Sequence, residues 1–172
     1  MKTLLRNAVL GLAGAALIIG ASVASAQTTK TTTFEASASV VANCFVTANS
    51  LAFGTYDPTA VNLDVNTQVL VRCTSGTGYT VALNRGTGTA TIAQREMTDG
   101  SGNKMNYNLY TTAGRTTIFG DGTDGSTVGG TGTGLGVPQE QTVTVYGRIP
   151  TGQDTLPIGT YTEPTITVTV TF

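Results

Sequence analysis

The 172-residue chain contains no histidine and no tryptophan, and it has only two cysteines. Without histidine there is no Ser-His-Asp or Cys-His catalytic machinery, and two thiols alone do not make a zinc site. The chain also lacks a Gly-x-x-x-x-Gly-Lys-Ser/Thr phosphate-binding loop. The sequence therefore predicts a protein that is not an enzyme, with no catalytic residue, no metal ligand and no cofactor.

Charge is also scarce, with nine basic and ten acidic residues and a formal net charge of −1. Two of the basic residues, Lys2 and Arg6, precede the apolar stretch Ala8–Ile19, and Ala24-Ser25-Ala26 is a small-x-small cleavage site. This order of features is typical of a secretory signal peptide. A membrane-spanning helix needs about 20 apolar residues, whereas glycines interrupt this run. We predict that residues 1–26 are cleaved.

Removal of Lys2 and Arg6 leaves the mature chain, residues 27–172, with seven of the nine basic residues and all ten acidic ones. This chain is not basic enough to predict nucleic-acid binding. It contains no second apolar run of membrane-spanning length. We expect an exported single domain that does not span the membrane after processing.

Threonine and glycine dominate the composition, with 35 and 22 residues. Threonine favours strands and glycine marks turns, and no apolar run at helical spacing follows the signal. Short alternating runs separated by turns predict an all-β sandwich. The predicted strands are Thr33–Val41, Thr67–Cys73, Gly78–Leu83, Lys104–Tyr110, Gln141–Ile149 and Glu163–Phe172. The Gly- and Thr-rich segment Gly120–Gly136 is predicted to be a long exposed loop.

The two cysteines, Cys44 and Cys73, lie in a chain that is predicted to be exported. An intramolecular disulfide is the expected pairing in an oxidising compartment. On the chain-entropy model, closing a loop of this length stabilises the fold by about 3 to 4 kcal/mol.

Both ends of the mature chain alternate in polarity. Near the N-terminus, a polar leader, residues 27–33, precedes an alternating run. The apolar side chains of this run share one face; they are Phe34, Ala36, Ala38 and Val40. At the other end, one face is apolar and the other is threonine; the apolar members are Ile166, Val168, Val170 and Phe172. A terminal strand needs a partner for its backbone groups. Periodicity alone leaves open whether the N-terminal run pairs within its own subunit or with another.

The sequence resembles the spore coat protein U domain family, which includes the pilins of archaic, Csu-type chaperone–usher pili. The matching segments are Val40-Val-Ala-Asn-Cys-Phe-Val46, Leu51-Ala-Phe-Gly-Thr-Tyr56, Val71-Arg-Cys-Thr74, Gly76-Thr-Gly-Tyr-Thr-Val81, Met105-Asn-Tyr-Asn-Leu-Tyr110, Val143-Thr-Val-Tyr-Gly-Arg-Ile-Pro150 and Gly159-Thr-Tyr161. Together they span nearly the whole mature chain.

This resemblance implies an incomplete immunoglobulin-like Greek-key β-sandwich that lacks its final strand. Residues 27–43 would be the N-terminal extension, with a donor strand that completes the preceding subunit, and residues 44–172 the pilin domain. The donor face would be Phe34, Ala36, Ala38 and Val40, and the disulfide Cys44 with Cys73. The strand that pairs with a chaperone and then with a donor would carry Ile166, Val168, Val170 and Phe172. Its aromatic Phe172 departs from pilins generally, which place the aromatic next to last.

The resemblance further implies partners and a location. The partners are identical or related pilin subunits in a head-to-tail polymer, a periplasmic chaperone and an outer-membrane usher. The location is the cell surface, reached through the periplasm, and the role is adhesion and biofilm formation. The alternatives are a monomeric coat protein that fills its own groove with residues 29–41, and a carbohydrate-binding or adhesin module.

Two other features need an interpretation. Asp121-Gly-Thr-Asp-Gly125 superficially resembles a calcium loop, but two carboxylates supply few of the six to eight oxygens that calcium takes. A turn-rich loop is the favoured interpretation. Five arginines are expected to be solvated surface charges; they are Arg72, Arg85, Arg95, Arg115 and Arg148.

Overall fold

The computed structural model describes residues 26–87 and 90–172. The predicted signal peptide thus lies outside the described residues, apart from Ala26. The chain divides into two units, Met1–Ala38 and Ser39–Phe172. In the first unit, the described residues 26–38 form no helix or strand, and their side chains are exposed. Over the described part of the chain, no helix has the length and apolarity to cross a membrane.

Over its described residues, the second unit contains eight strands and one short 3-10 helix, Val137–Gln139. The strands are β1 Cys44–Ala48, β2 Leu63–Cys73, β3 Gly78–Leu83, β4 Arg95–Thr98, β5 Lys104–Tyr110, β6 Val128–Thr131, β7 Gln141–Ile149 and β8 Val168–Thr171. They form two antiparallel sheets, one with the order β1-β2-β7-β5-β4 and the other with the order β6-β3-β8. The all-β, immunoglobulin-like sandwich that the sequence predicts is confirmed.

The core lies between the sheets and follows from the alternation of the strands. In β2, Val69, Val71 and Cys73 are buried, while the residues between them are partly exposed. Their neighbours Val143 and Val145 on β7 are buried on the same face, because opposite residues of an antiparallel pair share a face. Alternating valines and threonines therefore give β2 and β7 one face in the core and one outside it.

Several predicted strands match the structure and others do not. Gly78–Leu83, Lys104–Tyr110 and Gln141–Ile149 have the predicted bounds, and Thr67–Cys73 lies within the longer β2. Glu163–Phe172 is paired as a strand only over Val168–Thr171. Thr33–Val41 forms no strand among the described residues, because a strand exists only where a neighbour bonds to it.

The prediction for Gly120–Gly136 is correct only in part, because residues 121–126 are exposed and lie outside any strand but the rest differs from a simple loop. This segment contains β6, which pairs with β3, and both Gly120 and Gly132 are buried. A Cβ atom on Gly132 would lie 2.6 Å from the carbonyl oxygens of Cys73 and Thr74. Glycine is used here for close backbone packing as well as for turns, and composition alone does not distinguish the two uses.

Candidate functional site

An apolar cleft of about 990 Å³ enters the second unit between the two sheets. Its floor is the buried face of the larger sheet, and one wall is the segment that leads into β8. Side chains from this floor and wall include Leu51, Phe53, Met97, Met105, Tyr107, Tyr161, Ile166 and Val168. A sandwich normally fills such space with side chains from both sheets, so the cleft marks an incomplete core.

The wall on the β8 side has the alternation that the sequence predicts. Ile166, Val168 and Val170 are half-buried and pack against the core, whereas the threonines between them are exposed. Phe172 lies just beyond β8 and is 56% exposed. Ile166 and Val168 therefore line the cleft, whereas Val170 packs against the core without lining it.

The edge of β8 that faces away from β3 is open. The backbone N–H of Asn84 donates to the carbonyl of Thr167 at 3.1 Å, so the backbone groups of Thr167 point towards β3. In an antiparallel ladder the direction alternates, and the N–H and C=O groups of Val168 and Val170 therefore point to the other edge. Among the described residues, no strand pairs with that edge.

The opposite rim is β1, which is also incompletely covered. Val46 lies opposite Val71 and on the same face, yet it is 43% exposed while Val71 is fully buried. The Cα atoms of β1 approach those of β8 to within 8 Å. The exposure of Val46 shows that the inner face of β1 lacks a covering element.

The disulfide between Cys44 and Cys73 is confirmed, with an S–S distance of 2.00 Å. It joins the first residue of β1 to the last residue of β2, which are opposite each other in the ladder. The bond thus holds the exposed rim strand onto the larger sheet.

Aromatic and polar contacts fix the floor of the cleft. The rings of Phe53 and Tyr107 meet edge to face at 5.9 Å, and burial raises the pKa of Tyr107, so that its phenol stays neutral. Gly147 in β7 permits this arrangement, because a Cβ atom there would lie 2.7 Å from Leu51 and 2.9 Å from Phe53. The floor therefore suits an apolar occupant.

At one end, Gln153 closes the sheet where β7 stops. Its Oε1 accepts the N–H of Asn106 at 2.7 Å and its Nε2 donates to the Asn106 carbonyl at 3.0 Å, as a strand neighbour would. The hydroxyl of Tyr56 donates to the carbonyl of Pro150 and accepts the N–H of Gln153. The sequence analysis did not identify Gln153, because a side chain that replaces a strand has no periodic signal.

Glu163 is the charged group at the rim of the cleft. Burial raises the pKa of its carboxyl, but hydrogen bonds from Thr165 and Thr87 outweigh burial and leave the pKa below its usual value. One carboxylate oxygen accepts the N–H and hydroxyl of Thr87, and the other accepts those of Thr165. The carboxylate thus ties the loop after β3 to the approach to β8.

The predicted donor residues do not lie in a paired strand. Phe34 is 91% exposed and Val40 is 86% exposed, and Ala36 and Ala38 are also exposed. Their role as a donor face remains a prediction.

The prediction of solvated arginines is wrong for Arg95, which is completely buried. Its guanidinium donates to the carbonyls of Asn84 and Phe119, both at 2.8 Å, and to Oδ1 of Asn108 at 2.7 Å. Burial lowers its pKa to about 10. Backbone carbonyls accept the hydrogen bonds that a carboxylate usually accepts from a buried guanidinium. Residue spacing in the sequence does not predict these bonds.

Three other arginines form ion pairs. Arg148 makes two hydrogen bonds of 2.7 Å to Asp64, and Arg115 lies 3.3 Å from the same carboxylate. Arg72 lies 3.7 Å from Glu140, and Arg85 is exposed. The interpretation as simple surface charge therefore fits Arg85 best.

The acidic loop at residues 121–125 has the geometry of a turn. Oδ1 of Asp121 accepts the N–H groups of Thr123 and Asp124, both at 2.9 Å. These hydrogen bonds lower the pKa of the Asp121 carboxyl. Among the described residues, no group of three His, Cys, Asp or Glu side chains is arranged to hold a metal ion.

Taken together, the open cleft, the free edge of β8 and the uncovered face of β1 define a class of protein: immunoglobulin-like sandwiches with an unfilled strand position. Comparison with known proteins narrows the class. The profile of the Spore Coat Protein U domain matches residues 30–171, and the chain belongs to this family.

One relative and one solved structure illustrate the similarity. Protein U of Myxococcus xanthus is 32% identical over 184 residues, which cover 98% of each chain. The fold is also similar to a chain in the crystal structure of the CsuC–CsuE chaperone–tip adhesion subunit pre-assembly complex from archaic chaperone-usher Csu pili of Acinetobacter baumannii. That match has a TM-score of 0.52 and 24% identity, and it covers 77% of this chain but only 40% of the other.

Proposed function

We propose that this protein is a structural subunit of a surface pilus, assembled by the chaperone–usher route through donor-strand complementation. Each subunit would accept a strand from the next subunit in the cleft beside β8 and donate its own residues 27–43 to the preceding one. The polymer would support adhesion and biofilm formation.

The observation that carries this proposal is the open edge of β8 beside an apolar cleft. The outward N–H and C=O groups of Val168 and Val170 offer a ladder to an added strand, and the cleft offers space for alternate side chains. Strand addition of this kind obtains affinity from the backbone and specificity from the pockets. The volume of the cleft lies at the upper end of the range for small-ligand sites, but Glu163 is the one charged residue among the described residues of its lining, so it has little charge with which to orient a ligand.

The N-terminal segment supplies a suitable donor. Its apolar residues alternate with polar ones, and the exposure of Phe34 and Val40 leaves that face free to be buried elsewhere. Burying a Phe or Val side chain contributes about 1.5 to 3 kcal/mol each, and the alanines contribute less. A strand that completed its own subunit would bury this face.

The proposed partners suit the same geometry. Before assembly, the apolar cleft and the free edge need a cover that prevents aggregation, and a periplasmic chaperone is the proposed cover. An outer-membrane usher would then exchange the chaperone for the next subunit. Export through the periplasm also suits the disulfide, which persists in oxidising compartments.

A monomeric coat protein is the second candidate, and the family's description as a spore coat domain favours it. In this case residues 29–41 would occupy the groove of their own subunit. The two candidates differ only in where that segment binds.

Deleting Gln27 to Val41 separates the candidates. On the pilin proposal, the truncated subunit still binds chaperone but has no strand to donate, so it cannot be joined to a preceding subunit in a fibre. A synthetic peptide of residues 29–41 should bind the truncated subunit once chaperone is displaced and should raise its melting temperature. Binding is measured by calorimetry and the melting temperature by circular dichroism.

Two peptide variants are matched controls. Ala38→Arg places a long charged side chain on the apolar face and should abolish binding, because the position opposite an alanine has little room. Ser37→Arg places the same side chain on the polar face and should bind like the unchanged peptide. A truncated subunit that is stable, monomeric and indifferent to all three peptides would refute the pilin proposal. Degradation of the truncated chain even with chaperone present would favour the coat protein.

A further inference from the structure

The sandwich has two ends that differ in what they expose. We call one the exit end: it holds the start of β1 at Cys44, the turn after Cys73 and the last residue of β8, Thr171. We call the other the loop end: it holds the loops 49–62 and 150–161. The N-terminal extension leaves the domain at the exit end, because β1 begins there.

The exit end carries an exposed apolar group next to the point of departure. Its members are Val40, Val41, Phe45, Leu135 and Val137. Arg72 organises the group: its guanidinium lies over the ring of Phe45 at 5.8 Å and donates to the carbonyl of Leu135 at 3.4 Å. Arg72 thus joins Phe45 to the segment that carries Leu135 and Val137, so that one end of the domain holds five exposed apolar side chains that a second copy could cover.

The loop end carries two exposed aliphatic residues, Val61 and Ile158. Ile158 is fully exposed, although it borders the cleft. The base of these loops is held together: the N–H of Gly152 donates to the carbonyl of Pro58 at 3.4 Å, and the N–H of Thr151 donates to Oδ1 of Asn62 at 2.9 Å. The two residues thus stand on connected loops.

The link between donor and domain is short. Four residue steps separate Val40, the last donor residue, from Cys44, and they span at most about 14 Å. Part of this link is already fixed, because the hydroxyl of Thr74 accepts the N–H of Asn43 and donates to the carbonyl of Val41. The domain that donates must therefore stand directly against the subunit that accepts.

The direction of β8 determines which surfaces meet. β8 runs towards the exit end, so a donor parallel to β8 would emerge at the exit end, where that subunit's own extension already departs. Both neighbouring subunits would then lie at the exit end of the same domain. A donor antiparallel to β8 emerges at the loop end, which leaves one neighbour at each end.

From this arrangement we infer an interface between copies of this chain: the exit-end group, centred on Phe45 and Val137, packs against Val61 and Ile158 at the loop end of the preceding copy. The inference rests on the proposed pilin function and extends it from strand exchange to a second, surface contact. The contact would limit rotation about the short link and stiffen the fibre.

Disulfide trapping in fibres sheared from cells that export the full chain tests this interface. Val137→Cys and Ile158→Cys are combined in one chain, and the matched control combines Ala113→Cys with Ile158→Cys. Ala113 is exposed in the 111–117 loop, whose Arg115 donates to the carbonyls of Gly147 and Val65. After boiling without reductant, the first pair should give a covalent ladder that reductant collapses, and the control should give monomer.

The outcomes separate the interface from the proposed function. Fibres visible by electron microscopy that show no covalent ladder with Val137→Cys and Ile158→Cys would overturn the interface and leave strand donation intact. If the unsubstituted chain forms no fibres, the proposed function and the interface both fail.

Introducing a pair of opposite charges across the contact gives an independent readout. Ile158→Asp should leave the melting temperature of the isolated subunit unchanged, because the side chain is fully exposed, but should lower the temperature at which fibres dissociate. Adding Val137→Lys should restore that temperature by placing an opposite charge across the contact. Equal dissociation temperatures for the unsubstituted chain and the Ile158→Asp variant would contradict the interface.

Discussion

At the scale of single residues, Arg95 links the core to the strand-binding edge. The side chain of Asn84, rather than its carbonyl, accepts the N–H of Thr167 at the start of β8, and this leaves the Asn84 carbonyl for Arg95. The same guanidinium reaches the carbonyl of Phe119. One buried side chain therefore joins the end of β3 to Phe119, and Asn84 extends this connection to the approach to β8.

Replacing Arg95 with Met should destabilise the fold by about 2 to 4 kcal/mol. The substitution removes a buried charge, which is favourable, but it leaves the carbonyls of Asn84 and Phe119 without their donor, and an unsatisfied buried acceptor costs about 1 to 3 kcal/mol. Urea unfolding measures the change. Arg85→Met, at an exposed position, is the control and should stay within about 0.5 kcal/mol. A stable Arg95→Met variant would show that the carbonyls find other partners.

At the scale of elements, the two edges of β8 differ in their hydrogen bonds, because one is bonded to β3 and the other is open. The backbone groups of Thr167 and Thr169 point to β3 and hold the fold, whereas those of Val168 and Val170 point to the open edge. The two sets of hydrogen bonds can therefore be removed separately. A proline substitution removes one backbone N–H and therefore tests this edge more directly than a change of side chain.

Val170→Pro removes an outward N–H, so it should weaken binding of the 29–41 peptide while the subunit stays folded. Proline is tolerated on an edge strand where its missing N–H faces solvent. Thr169→Pro removes an N–H that bonds to β3, so it should lower the melting temperature where Val170→Pro does not. Val170→Ala controls for the lost side chain. Peptide affinity and the melting temperature are measured for all three, and unchanged affinity in Val170→Pro would exclude this edge as the binding ladder.

At the scale of the whole molecule, the absence of histidine shapes the response to pH. No imidazole is present to titrate between pH 5 and 8. Five carboxyl groups have a pKa below the usual value; they are Asp57, Asp64, Asp99, Asp121 and Glu163. For Asp64 the first cause is the hydrogen bond from Arg148. The charge network of the folded protein is therefore complete throughout the neutral range.

We expect the melting temperature to be nearly constant from pH 7 to about pH 5 and to fall in stronger acid. A carboxyl whose folded pKa is lowered contributes stability above its unfolded pKa, about 4, and loses it as the pH falls through the folded pKa. Scanning calorimetry from pH 7 to pH 2 measures the curve. Asp64→Asn should reduce the acid-dependent loss, because it removes one such group. A steep fall between pH 7 and pH 5.5 would contradict this account.

The sequence by itself determined the class of fold, the disulfide and the apolar face of the last strand. Alternation in β2, β3, β5 and β7 is a local property, because successive side chains of a strand point to opposite faces whatever the partner is. Ile166, Val168 and Val170 accordingly lie where their pattern predicts, and Cys44 pairs with Cys73.

Only the tertiary structure decided which strand edges stay open and where Arg95 lies. Whether a strand has one neighbour or two depends on the order of strands in the sheet, which brings distant segments such as β3 and β8 together. The burial of Arg95 depends on carbonyls from two separate loops, and the pairing of β6 depends on β3. These are contacts between segments far apart in the chain, and no local periodicity encodes them, so the open groove emerges only when the whole sandwich is assembled.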